Sequence, residues 1–147
     1  MDAMNPVEIL LVEDNPADVE LTLRALKKRN LANQVHVVTD GAQALDFLFA
    51  SGAFVGKNKQ PMPKVVFLDL KLPKVDGYEI LRRMKSDPRT RLIPVVVLTS
   101  SKEESDIAKT YENGANSYVV KPLDFEKFVE AVSELGLYWV LLNQAPV

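Results

Sequence analysis

Five residues scattered along the chain carry the chemistry available to it. The stretch "LLVEDN" puts two acids, Glu13 and Asp14, directly behind an apolar run. "KVVFLDL" leads into Asp69, "VVVLTSS" reaches Thr99, and "SYVVKP" ends on Lys121. Each follows a short apolar run of the kind that forms strands buried on both faces. Strands about 4.8 Å apart would bring these ends to one patch. Three carboxylates, a hydroxyl and an ammonium then share it. Carboxylates that close repel one another and call for a cation. With only oxygen donors and no His or Cys beside them, the expected ion is hard, and a small hydrated octahedral site favours Mg2+ over Ca2+. Asp14 and Asp69 are the expected direct ligands, with Glu13 bound directly or through water and the main-chain carbonyl of Lys71 completing the set. Such an ion keeps positions open for phosphate oxygens. Lys121 would pair with that phosphate, and Thr99 would offer it a hydroxyl. Asp69, the most central acid, is the expected nucleophile, forming an aspartyl-phosphate.

Singly, each residue has an ordinary use. Asp14 can cap a helix, Asp69 can close an Asx-turn, Thr99 can be loop polarity and Lys121 a surface cation. Four strand ends of complementary charge are harder to assign to capping.

The elements that must position these residues alternate along the sequence. Strand-like runs are Val7–Val12, Gln34–Thr39, Val65–Leu68, Pro94–Leu98 and Ser117–Val120. Helical periodicity lies between them. Val19, Leu23 and Leu26 stripe a first helix starting at Pro16 behind Asn15 as cap. Ala44, Leu45 and Leu48 mark a second, and Ile80, Leu81 and Met84 a third. Ile107, Ala108 and Tyr111 mark a fourth, ended by Asn113-Gly114. Phe125, Phe128, Val129, Val132, Leu135 and Trp139 stripe a fifth that begins near Asp124. Five βα units predict a doubly wound α/β domain, in which ligands bind beyond the carboxyl ends of the strands. The connection over residues 51–64, dotted with Gly and Pro, is long for this class and reads as a surface insertion. His36, a lone histidine in a strand, and Trp139 read as structural.

Length and composition agree with one domain, residues 1–147, with its core over about 7–142. The chain has 147 residues, 47% of them hydrophobic, which suffices for a core. A net charge of −2 offers no basic excess for nucleic acid. The absence of cysteine excludes disulfides, thiolate metal sites and cysteine nucleophiles. No signal-peptide pattern opens the chain, and no apolar segment reaches the roughly 20 residues needed to span a membrane. A soluble cytoplasmic protein is expected.

Together, "LLVEDN", "VVFLDLKLPKVDGYEIL", "VVVLTSS" and "SYVVKP" resemble the response-regulator receiver domain of two-component signalling, from about Val7 to about Leu142. The resemblance implies a CheY-like, flavodoxin-like (βα)5 sheet of order 2-1-3-4-5. It implies an acidic pair at Glu13 and Asp14, a phosphoacceptor at Asp69, a switch hydroxyl at Thr99, the lysine Lys121 and an aromatic switch at Tyr118. Pro122 matches a proline that usually makes a cis bond. The implied activity is that of a switch rather than a conventional enzyme. It takes a phosphoryl group from a histidine kinase, catalyses that transfer, and later loses the group by slow hydrolysis. Lys71 and Ser101, each two residues past a site residue, lie where they would either affect water access or simply face solvent as loop side chains. Residues 51–64 and the tail "ELGLYWVLLNQAP" further resemble stand-alone receivers partnered with phytochrome-type histidine kinases. The expected output is binding through the face of the fourth helix, fifth strand and fifth helix. Leu137, Tyr138, Val140 and Leu141 make the helix end apolar almost all round, which suggests a homodimer there or docking of the kinase, with a tail folded back onto its own core as the other reading.

Three other functions compete with this one. A haloacid-dehalogenase-type phosphatase places a second acid where this chain has Lys71. A flavodoxin-like cofactor binder would find its phosphate repelled by "EDNPAD". A phosphorylation-independent docking module remains the serious alternative.

Overall fold

The computed structural model describes residues 7–49, 62–100, 103–121 and 124–143. Five parallel strands, β1 (Ile9–Val12), β2 (Val35–Val38), β3 (Val65–Leu68), β4 (Val95–Thr99) and β5 (Ser117–Val120), form one sheet of order β2-β1-β3-β4-β5. Helices α1 (Pro16–Lys27), α2 (Gly41–Phe49), α3 (Gly77–Ser86), α4 (Glu104–Glu112) and α5 (Phe125–Leu137) alternate with them. This is the doubly wound α/β architecture and strand order expected from the sequence.

Every residue of β1, β3 and β4 is buried. Alternate side chains feed two cores, one on each face of the sheet. Leu10, Val12, Val66, Leu68, Val95 and Val97 pack with Ala44, Leu48, Ile80, Leu81 and Met84 of α2 and α3. Ile9, Leu11, Val65, Phe67, Val96 and Leu98 pack with Ala25 and Leu26 of α1 and Phe128 and Val132 of α5. Each fully buried aliphatic side chain contributes about 1.5–3 kcal/mol. That burial fixes the register, because a one-residue slip would turn each set to the wrong core.

The register sets the site. Val12 stands beside both Val38 and Leu68. Past the strand ends the ladder continues: Glu13 N–H donates to Val38 C=O (3.0 Å), Asp69 N–H to Val12 C=O (3.0 Å) and Lys121 N–H to Thr99 C=O (2.7 Å). The functional side chains therefore leave a backbone that is already pinned.

Helix starts follow their sequence signals. Asn15 caps α1, its side chain accepting from Ala17 and Asp18 N–H, with Pro16 first in the helix. Asp76 caps α3 and Asp124 caps α5. Asn113 closes α4, and Gly114 takes a φ of 100°, a left-handed conformation that glycine adopts without steric cost.

Several expectations need correction. The limits of β1, β2 and β4 move by one or two residues, those of β3 and β5 are as expected, and β4 takes in Thr99 itself. On α1 the buried stripe is Thr22, Ala25 and Leu26, with Leu23 only half-buried. Thr22 tolerates burial because its hydroxyl donates to Asp18 C=O at 2.8 Å. On α4 the expected stripe fails: Ala108 and Tyr111 are exposed, and Thr110 is the helix's buried residue. Its hydroxyl donates to Asp106 C=O at 2.7 Å, which removes the penalty of burying it. The fifth helix runs on into a π-helical turn, Tyr138–Leu142, that buries Val140 against the α1/α5 core instead of exposing it. Residues 51–61, Ser101 and Pro122 lie outside the described residues, as does the side chain of Phe125. Among the described residues no helix is long and apolar enough to cross a membrane.

Candidate functional site

Glu13 leaves β1 as a fully buried acid, 1% exposed. Both of its oxygens are engaged: Oε2 accepts Asn15 N–H at 3.2 Å, and Oε1 accepts from the Lys121 ammonium. Asp69, one residue past β3, is buried too. Its Oδ1 accepts Lys71 N–H at 3.3 Å and its Oδ2 accepts Lys121 Nζ at 3.2 Å. The same ammonium donates to Asp18 Oδ2 at 3.0 Å. Lys121 thus spends its three protons on three carboxylates.

Burial pushes the Glu13 carboxyl up to about 7, against the opposing pull of Lys121. Burial also opposes the Lys121 charge, but Glu13, Asp69 and Asp18 outweigh it and hold the ammonium above its ordinary value. The two shifts have opposite balances: burial prevails at Glu13, and the surrounding carboxylates prevail at Lys121.

Asp14 stays exposed on the solvent side. Oxygens of Glu13, Asp14 and Asp69 lie within 4.8 Å of one another. Octahedral Mg2+ holds opposed ligands about 4.2 Å apart, so this hard-oxygen set fits a small divalent ion after slight contraction. Thr99 is fully buried at the end of β4, in register with Val120 and one position from Lys121. Lys71 has an exposed side chain, and its N–H bond places its backbone at Asp69. Tyr118, on β5, is half-buried and packs against the α2/α3 core, its ring 6.5 Å from that of Tyr111. His36 stacks on Phe47 at 4.8 Å.

Close backbone approach fixes the acidic end of β3. A Cβ on Gly77 would sit 2.3 Å from Asp69 O and 2.6 Å from Leu70 Cα, so only glycine lets α3 begin there.

The structure therefore gathers Glu13, Asp14, Asp69 and Lys121 from the ends of three strands, with Thr99 adjoining. The sequence reasoning missed Asp18. An acid in a helix's first turn is ordinary macrodipole compensation, and no sequence signal set Asp18 apart from it. It also missed Tyr78, whose hydroxyl donates to Asp106 Oδ1 of α4 at 3.0 Å.

A doubly wound sheet whose strand ends gather acids around one lysine has the architecture of a two-component signalling module. The family model for the response regulator receiver domain matches residues 9–133, and the chain belongs to that family. It is a receiver of the response-regulator class, a signalling switch. Among its relatives are the probable methanogenesis regulatory protein FilR2 of Methanothrix harundinacea, 41% identical over 146 residues, covering 99% of this chain and 92% of that protein. The response regulator Rcp1 of Synechocystis sp. is 36% identical over 140 residues, covering 95% and 93%. Similar solved structures include the phosphorylated cyanobacterial phytochrome response regulator RcpA, with a TM-score of 0.86, 36% identity, and 97% of this chain and 99% of that one covered. The Mn(2+)-bound form of Rcp1 gives 0.85 at 35% identity, covering 97% and 100%. The bacteriophytochrome response regulator RtBRR gives 0.75 at 54% identity, covering 94% and 82%.

Proposed function

We propose that this chain is a phosphoacceptor that takes a phosphoryl group from a phytochrome-type histidine kinase onto Asp69. The observation that carries the reading is the Lys121 ammonium bonded to Asp69 Oδ2 beside three converging carboxylates. An Asp69 oxygen attacks phosphorus in line; the P–N bond to the kinase imidazole breaks as the P–O bond forms. Such transfers depend on positioning and charge neutralisation. Asp14 and Asp69, with Glu13 directly or through water and the Lys71 carbonyl, would hold Mg2+, which would supply part of that neutralisation. Lys121 turns from its carboxylates to a phosphoryl oxygen, and Thr99 donates its hydroxyl to another. Hydrolysis of the acyl phosphate later restores the carboxylate.

Phosphorylation brings a charge of about −1.5 to −2. Drawing Thr99 toward it opens space for Tyr118 to turn inward, shifting the α4-β5-α5 face between two packings with a coupling of about 1–3 kcal/mol. Tyr111, 48% exposed, lies on this face, and Tyr138, Leu141 and Leu142 are exposed beyond α5. These apolar groups support a homodimer through the α4-β5-α5 face or the C-terminal helix, with sedimentation as its test. The phytochrome partner is supported by the likeness to RcpA, a cyanobacterial phytochrome response regulator, and RtBRR, a bacteriophytochrome response regulator. The chain works as one cytoplasmic domain, residues 1–147, and a net charge of −2 gives no support to nucleic-acid binding.

Incubation with acetyl phosphate and Mg2+ tests the reading. The expected result is a mass gain of one phosphoryl group, abolished by Asp69→Asn and by chelation. A mass gain unaffected by Asp69→Asn would remove Asp69 as acceptor. No gain at all would favour a phosphorylation-independent docking module.

A further inference from the structure

The Lys121 ammonium has three carboxylate partners, but they are not equivalent. Glu13 and Asp69 belong to the trio whose oxygens gather within 4.8 Å. Asp18 does not, although its Oδ2 is 3.0 Å from Lys121 Nζ. Its side chain is 25% exposed, against 1% for Glu13 and 10% for Asp69. Asp18 is also held from behind. It lies in the first turn of α1, its N–H donates to the Asn15 cap at 3.2 Å, and its carbonyl accepts the Thr22 hydroxyl at 2.8 Å. Its carboxylate therefore reaches the lysine from a fixed stretch of helix. That contact joins α1 to the residue after β5, which is not adjacent to β1 in the sheet.

We propose that Asp18 is a positioning residue that shares the Lys121 ammonium, drawing it off Glu13 and Asp69 so that those carboxylates are free for a divalent cation. The inference rests on the metal-dependent reading of the site given above. An ammonium hydrogen-bonded to Glu13 and Asp69 competes with a cation for the same oxygens. When the cation takes them, like charges oppose each other at close range. Asp18 gives the displaced ammonium a partner outside the ligand set and keeps it aimed at the place where a phosphoryl oxygen arrives. With Asp18 neutral, Lys121 falls back on Glu13 and Asp69, and the cation must break stronger bonds to enter. Asp18 thus acts through Lys121 and is not a ligand.

The experiment is calorimetric titration of the full chain with Mg2+, without a phosphodonor, as a double-mutant cycle. Asp18→Asn keeps size and an acceptor oxygen while removing the charge. Asp18→Ala serves if that variant fails to fold. Lys121→Met removes the competing ammonium, with Lys121→Gln as its substitute. The expected result is a Kd for Mg2+ raised about 3- to 10-fold by Asp18→Asn when Lys121 is present, and changed less than about 2-fold when it is absent, within the couplings contacting charges show. Equal weakening in both backgrounds would mean that Asp18 acts as a remote charge, and the inference fails. An unchanged Kd in the Lys121 background also overturns it. If the unaltered chain takes up no Mg2+, the metal-dependent reading itself fails, and this inference with it.

Discussion

Replacing Lys121 by Met isolates the central ion cluster, because Met matches the stem of lysine and removes only the ammonium. In metal-free protein this strands Glu13, whose side chain is 1% exposed, and takes a partner from Asp69 and Asp18. Breaking a buried pair by removing one partner costs about 3–5 kcal/mol. Two routes reduce the loss. Glu13, already raised by burial, can take up a proton, and Asp18 reaches solvent. A net destabilisation of about 2–3 kcal/mol at pH 8 follows from that range. For a domain of this length each kcal/mol moves Tm by about 2–4 °C, so a fall of about 5–10 °C is expected. The sign with pH follows from the carboxyl. Its folded-state pKa lies above the unfolded value, so the stability it lends at low pH is lost as the pH rises, and the deficit should be larger at pH 8 than at pH 6. Magnesium replaces the missing charge, contributing about 2.7 kcal/mol at a hundredfold excess over Kd, and it no longer competes with an ammonium. Scanning calorimetry in chelator and in Mg2+ reads both effects. A Tm gap of the same size in the two buffers, or no gap in chelator at pH 8, would refute the reasoning.

Four further outcomes follow. Gly77→Ala drives a Cβ into Asp69 O and Leu70, so it should cost more than about 1–3 kcal/mol by denaturant unfolding and lower phosphorylation at Asp69. Asp40→Ala removes the acceptor of Gln43 N–H at 2.8 Å, at a cost of about 1 kcal/mol. Because that bond holds the Asp40 carboxyl below its usual 3.8, its contribution is present above that pH and lost as the pH falls through the lower folded value; the variant should lack this part of the acid sensitivity. In metal-free protein, Glu13 lends stability fully present below about 4.5 and lost as the pH rises through about 7, and Glu13→Gln should flatten that slope in a Tm-against-pH series. Tyr78→Phe deletes the hydroxyl that donates to Asp106, so amide exchange in α4 should accelerate while exchange in β1, β3 and β4 stays unchanged.

Most of the architecture was legible because its strands are bare. "ILLV", "VVFL" and "VVVLT" have no polar face, a pattern that fits a sheet covered on both sides. The site was legible for the same reason, since a charge ending such a run stands out. Asp18 was not, because nothing in a helix's first turn separates an acid facing solvent from one facing a buried ammonium 103 positions away. The outer stripe of α4 misled for a related reason. Ala108 and Tyr111 carry a helical period that normally marks a core, but a threonine that satisfies its own hydroxyl took the inward position. Local pattern records hydrophobicity; long-range pairing of charges leaves no periodic trace.

The light seating of α4 has a consequence for how receivers of this kind diversify. Thr110 is the one fully buried residue of α4, and the helix is otherwise held by side-chain contacts such as Tyr78–Asp106, Lys109 over the Tyr78 ring and Tyr111 near Tyr118. On the proposed function, substitutions there retune which partner is recognised while the acids past the carboxyl ends of β1 and β3 stay in place. New signalling connections can then arise without re-inventing the chemistry that drives them.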